Sequence, residues 1–206
     1  MKSFLITSVL ALSLTAHAAP GKKEAPKAMP IDLAKSEVVW TGRKAVVKSS
    51  HTGTVKLKSG EVTLDKGQPV AGEFVIDMTT ITNTDLQGSP KKADLEGHLK
   101  NADFFDVNKF PTATMKMTSV KALTKPASGQ PTHEVSGTLT IKGETHPITF
   151  PATISTQGNI TMAKADLKID RTLWNVRYAS DKFFKSLGDK VIANEIEFSV
   201  NLVTVH

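Results

Sequence analysis

Toward the C-terminus apolar and polar positions alternate with a period of two: Ile192, Ile196, Phe198, Val200 and Leu202 share one parity, and Glu195, Glu197, Ser199 and Asn201 the other. Alternation of this kind describes a strand with one oily face and one wet face. The same pattern runs through Val70 to Met78, Val135 to Ile141 and Ile148 to Ile154. Strands are expected over Glu37 to Val47, Thr52 to Lys58, Glu61 to Leu64, Val70 to Met78, Thr112 to Ala122, His133 to Ile141, His146 to Ser155, Thr161 to Ile169 and Val191 to Thr204. Turn residues separate them at Lys58-Ser59-Gly60, Asp65 to Pro69, Ser128 to Pro131, Lys142-Gly143-Glu144 and Gln157-Gly158-Asn159. The fold class that follows is all-β: an antiparallel up-and-down barrel of about eight strands, with a sandwich as the alternative. Pro147 and Pro151 each remove a ladder donor, so a bulge or a gap in pairing is expected there. A parity change between Met162 and Ala163 predicts a second bulge.

Two stretches break the strand rhythm. Ser89-Pro90 reads as a cap and first turn opening a helix through Lys100, with Leu95 and Leu99 on one face, followed by Asp103-Phe104-Phe105-Asp106-Val107. Ser180 reads as the cap of a short helix presenting Phe183, Phe184 and Leu187 and ending at Gly188. Short helical insertions of this kind cover one end of a barrel.

Ahead of the strands, Lys2, the apolar run Phe4 to Leu14 and Ala16-His17-Ala18 have the layout of a cleavable export signal over residues 1–18, which implies a periplasmic protein. Residues 19–30, rich in Pro and Lys, read as a disordered leader, and 31–206 as one domain. The chain has no cysteine, so disulfides are excluded and stability rests on burial. The net charge of +6 is spread along the strands, which suits a solvated outer face and at most weak, transient contact with an anionic membrane surface. No basic patch with interleaved aromatics suggests nucleic acid.

Catalytic and metal signatures are missing. The six histidines show no H-x-x-x-H or H-E-x-x-H spacing, and there is no G-x-S-x-G elbow or phosphate-binding glycine loop. The remaining choice is between a solid core and a container for something apolar. The inward set Phe74, Ile76, Met78, Met115, Met117, Leu139, Phe150, Phe198 and Val200, with Phe104, Phe105, Phe183 and Phe184 over an end, serves either purpose; the adjacent methionines favour a flexible guest. The densest polar cluster, Asp170 to Tyr178, reads as a strand end with Trp174 as a plug and Arg171 paired to a carboxylate. Alternatively it is a rim that offers donors to a ligand headgroup.

Gly97-His98-Leu99, Asp103 to Val107, Phe110 to Ala113, Gly137 to Gly143, His146-Pro147-Ile148 and Asp170-Arg171 occur in the order and spacing by which the chain resembles the YceI-like lipid and polyisoprenoid-binding family. The resemblance implies a lipocalin-like barrel whose apolar tunnel holds an isoprenoid, a quinone or another long-chain lipid, with no cofactor and no metal. On that reading His98, Arg171, Trp174, Arg177 and Tyr178 meet the headgroup. The chain departs from many members at Glu96-Gly97 and at Trp174-Asn175, which sets it in a subgroup. Three functions follow: a lipid carrier that catalyses nothing, as a monomer or homodimer; an enzyme using His98 with Asp106 or Asp170 as acid and base; and a solid-cored envelope module working through a protein partner.

Overall fold

The computed structural model describes residues 25–158 and 160–205, so the export segment expected over 1–18 lies outside the described residues. Nine strands follow in order: β1 (Lys27–Pro30), β2 (Glu37–Lys44), β3 (Ser50–Asp65), β4 (Gln68–Asn83), β5 (Thr112–Ala122), β6 (His133–Ile141), β7 (Glu144–Gln157), β8 (Ile160–Asp170) and β9 (Ile192–Val203). One helix, α1 (Lys91–Lys100), lies between β4 and β5. Every pairing is antiparallel, and β3 pairs with both β2 and β4, which closes an eight-stranded barrel running from β2 to β9. Closure pairs most of the strand edge that could otherwise recruit another strand.

Hairpin chemistry sets the register. Lys66-Gly67 and Lys142-Gly143 both have positive φ, at 51° and 77° and at 54° and 80°, and turn the chain in two residues between Asp65 and Gln68 and between Ile141 and Glu144. Two central residues in the left-handed region are what a tight hairpin with right-twisted strands requires.

Four expectations need correction. Lys27–Pro30 is a strand on β3 rather than part of a disordered leader: Met29 is buried, and Val205 N–H donates to Pro30 O, so the segment fills the gap between β3 and β9 beyond the start of β2. Ser59-Gly60 is not a turn but the middle of one sixteen-residue strand. A Cβ on Gly60 would lie 2.7 Å from Ile31 and 2.8 Å from Phe74, so this glycine marks a close approach of side chains. The bulge expected in β8 does not occur: its register with β9 runs unbroken from Met162 to Asp170, because Thr161 occupies the inward parity and Ile160 and Met162 point out. Finally, Ser180 starts a turn, with Phe183 and Phe184 N–H donating to its carbonyl, but only a single 3₁₀ turn at Gly188–Lys190 follows.

Pro147 and Pro151 leave the β6–β7 ladder intact, and the expected gap lies on the other side of the strand. β7 pairs with β8 only from Thr153 to Gln157, so Glu144 to Ala152 and Ala165 to Asp170 are not joined. A 3₁₀ turn, Arg171–Trp174, stands at the top of this seam. Trp174 is 2% exposed, its Nε1 donates to Leu139 O at 2.9 Å, and its ring meets the His146 ring edge to face at 5.2 Å.

Three connections longer than two residues share one end of the barrel. The β2–β3 connection, the chain from Thr84 through α1 to Pro111, and residues 171–191 lie at the C-terminal ends of β2, β4 and β8. Leu95 and Leu99, one turn apart on α1, face the barrel interior there, as their spacing predicts.

Candidate functional site

The interior is hollow. A cavity of about 440 Å³ runs between two buried clusters, one around Trp40, Met78, Ile81 and Leu139 and the other around Val62, Phe74, Met117 and Val135. That volume is within the usual range of ligand pockets. Inward side chains from every barrel strand line it, and many of them, including Ile76, Met115, Phe150, Phe198 and Val200, are only half-buried although they face inward. A filled core would have covered them.

Of the apolar positions expected in a tunnel, Phe74, Ile76, Met78, Phe104, Phe105, Met115, Met117, Leu139, Phe150, Phe198 and Val200 line the cavity. Phe183 and Phe184 do not. They are 45% and 48% exposed on the 171–191 segment, where no helix forms to turn them toward the cavity, and Phe184 borders a separate recess at the mouth.

Most of the polar lining residues gather at one end and locate the mouth, Thr161 at the start of β8 being the exception. Arg43, Lys44, Ser49, Ser50, His51 and Glu195 all come from the ends of β2, β3 and β9. Above them a second recess of about 360 Å³ is bounded by Lys44, His98, Tyr178, Ala179, Phe184, Leu187, Lys190 and Ile192. The two spaces share Lys44 and Ile192, so the recess adjoins the cavity at its mouth and forms a vestibule beside it. Its wall is an aromatic cluster: the His98 ring meets Tyr178 at 4.6 Å and Phe104 at 4.9 Å, both edge to face, and its Nε2 lies 3.1 Å from Asp103 Oδ2. These contacts hold α1, the loop after it and the 171–191 segment together.

The polar residues expected at a headgroup divide into two groups. His98 and Tyr178 stand in the vestibule. Arg171 and Trp174 are framework instead. Arg171 touches the cavity edge, but its Nε, Nη1 and Nη2 donate to the carbonyls of Ala193, Val176 and Ile192 at 2.9, 2.7 and 3.1 Å. Among the described residues no carboxylate pairs with it directly. Burial lowers its pKa against the field of Asp170 and Asp181, and carbonyl acceptors take the place of water. Arg177 is exposed and lies over the Phe183 ring at 4.6 Å, outside both spaces. For acid and base chemistry, His98 pairs with Asp103 rather than Asp106, and the Asp170 carboxylate is held by Thr172 and Lys182.

Sequence reasoning missed the cationic side of the vestibule. Lys44 and Lys190 come from the end of β2 and the end of the 171–191 segment, and Lys44 Nζ donates to Asp189 O at 3.2 Å. The signal lies in Lys44-Ala45-Val46-Val47-Lys48, where two adjacent valines end the alternation, although β-propensity alone predicts strand through Val47.

The geometry described so far defines a class: a closed antiparallel barrel with a hollow apolar interior and one polar mouth. A YceI-like domain profile matches residues 30–204, and the chain belongs to that family. UPF0312 proteins of Pseudomonas putida, among them that of strain W619, are 35% identical over 106 residues, 52% of this chain and 50% of theirs. The chain thus spans about half the length of the curated relatives it matches. Among solved structures, Burkholderia cenocepacia BcnA superposes with a TM-score of 0.64 at 24% identity, over 85% of this chain and 99% of that one. A polyisoprenoid binding domain from Saccharophagus degradans gives 0.60 at 14% identity, over 85% and 96%. Both are similar in fold.

Proposed function

We propose that the protein is a periplasmic carrier that holds the chain of an isoprenoid, quinone or other long-chain lipid in the barrel cavity, with the headgroup in the vestibule, and catalyses nothing. The observation that carries the reading is the hollow interior, apolar along most of its length and with its charged lining residues gathered at the mouth. Family membership supports it, as does the polyisoprenoid-binding description of the Saccharophagus domain. Periplasmic location rests on the export pattern of residues 1–18.

Withdrawing each isoprene unit from water is favourable by roughly 3 to 4 kcal/mol, before ordering costs. A bilayer offers the lipid nearly the same gain. Selectivity therefore belongs to the vestibule, where Lys44, Lys190, His98 and Tyr178 surround the opening and the cavity wall is generic. The cations suit an acidic or strongly polar headgroup.

Native mass spectrometry of detergent-free protein, followed by solvent extraction, is expected to reveal one lipid chain per barrel. Phe74→Arg or Phe198→Arg, which place a charge in the cavity, are expected to abolish loading in a protein that keeps its far-ultraviolet circular dichroism. A folded Phe74→Arg variant that carries lipid as the wild type does would reject the reading.

A further inference from the structure

The outer surface around the mouth is unlike the rest of the barrel. Among the described residues, nine large apolar side chains are exposed, and six of them, Val46, Val47, Leu173, Tyr178, Phe183 and Phe184, belong to connections at the open end. The other three, Leu33, Leu123 and Ile160, are single residues on separate segments of the far end. The tips carrying Val46-Val47 and Phe183-Phe184 belong to adjoining segments: Ala45 N–H donates to Val191 O at 2.9 Å, and Lys44 Nζ reaches Asp189 O.

Cations flank these apolar tips. Apart from the buried Arg171, the end of β2 and the two segments contribute Lys44, Lys48, Arg177, Lys182, Lys185 and Lys190 against only Asp181 and Asp189. Of the cations only Lys182 is held in an ion pair among the described residues, with Asp170, and Asp181 is engaged by Asn194. We propose that this end of the barrel docks on an anionic lipid bilayer: Val46, Val47, Phe183 and Phe184 enter the boundary between headgroups and acyl chains, and the lysines and Arg177 lie among the anionic headgroups.

Two features favour a bilayer over a protein partner. Protein interfaces concentrate flat or concave apolar area at a core depleted of lysine, whereas here projecting loop tips alternate with lysines. Apolar residues beside a cationic belt are the composition of surfaces that lie in a membrane interface, where attraction to anionic lipid adds to apolar insertion. Docking in this orientation sets the vestibule against the membrane, so a lipid could pass between bilayer and cavity without crossing water; that consequence rests on the carrier reading, whereas the docking itself does not.

Flotation of the purified whole chain with vesicles tests the proposal. The partner in the comparison is a variant carrying Val46→Ser, Lys48→Glu, Phe183→Ser and Lys185→Glu, none of which lines the cavity or the vestibule. Both proteins share any contribution of the N-terminal segment, so the difference between them reports the patch. On phosphatidylethanolamine vesicles containing about 30% phosphatidylglycerol, the variant's partition coefficient is expected to fall roughly tenfold below that of the wild type, and wild-type binding to weaken in about 0.5 M salt. A fall of less than about threefold overturns the proposal. Equal wild-type partitioning onto pure phosphatidylcholine vesicles also overturns it, because the binding would then owe nothing to anionic headgroups. Uptake of a fluorescent fatty acid from dilute solution is measured in parallel: equal uptake by both proteins shows an intact cavity, and no uptake by either rejects the carrier reading without touching the vesicle result.

Discussion

Arg171 illustrates how one side chain can be read for the wrong partner. Its position beside Asp170 in a polar, aromatic stretch suggests either a carboxylate pair or a headgroup contact, and the structure shows three backbone carbonyls instead. The planar fork of a guanidinium can reach three acceptors on different segments, which here are Val176 in the following turn and Ile192 and Ala193 entering β9. Arg171→Leu is therefore expected to cost roughly 3 to 5 kcal/mol, measured as a shift in urea midpoint, because several buried carbonyls lose their donor. A headgroup residue would behave in the opposite way, with lipid loading lost and stability kept. Carbonyl acceptors carry no residue-type signature, and for that reason the sequence could not reveal them. His98 and Tyr178 enter as headgroup residues only through the family resemblance, since a lone histidine and a lone tyrosine 80 positions apart give no local sign of meeting, whereas Lys44 and Lys190 look like any surface lysine.

Among the elements, the strands were largely legible, since alternation reports directly which face is buried. β5 and β6 were predicted over their observed spans, Thr112–Ala122 and His133–Ile141. The errors arose where one residue type has two physical meanings. Glycine at position 60 could mark a turn or a close approach, and only the neighbouring Ile31 and Phe74 decide it. Phe183-Phe184 could belong to a lid or to an outer surface, and no local pattern separates these. The attachment of α1 was also invisible. Glu96 accepts from Thr82 Oγ1 at 2.6 Å and from Asn83 N–H at 2.8 Å, and these bonds, Thr82 first, hold its carboxyl below the ordinary 4.5. Burial pushes Asp85 up, but His51, the Thr52 N–H and Asn83 outweigh it and leave its pKa lowered. A carboxylate with a depressed folded-state pKa contributes stability that is complete above its unfolded pKa and lost as pH falls through the folded one. The helix end of the barrel is thus expected to loosen below the ordinary carboxylate range of about 4 to 4.5, seen as a fall in Tm between pH 5 and pH 3 that is smaller in Glu96→Gln.

For the whole molecule, the hollow interior sets a tension between stability and capacity. Ala165, on β8, lines the cavity and is only half-buried, so a larger apolar side chain there has room. Ala165→Leu is expected to leave the Tm of the delipidated protein unchanged or slightly raised, while the lipid-dependent gain in Tm shrinks, since bound ligand stabilises only in proportion to its occupancy. Thermal melts of loaded and solvent-extracted protein measure both quantities. A solid core would give the reverse result, because extra methylene groups in a packed interior cost roughly 1 to 3 kcal/mol.

The unsewn stretch between β7 and β8 gives the barrel mechanical latitude. A fully laddered barrel is a closed hoop, and widening it to admit a thicker guest would break hydrogen bonds all round. Here Ile148, Phe150 and Ala152 face Ala165 and Leu167 across a seam that carries no ladder bonds, and Pro147 and Pro151 have no N–H with which to form them. Girth can change at that line while every other strand pair stays intact. Hydrogen exchange is expected to show it: peptides covering 145–152 and 165–170 should exchange well before those of β5 and β6, and a branched guest should alter protection in those two peptides alone. Seam peptides as protected as β5 and β6 would mean that the hoop is closed in solution and its bore fixed.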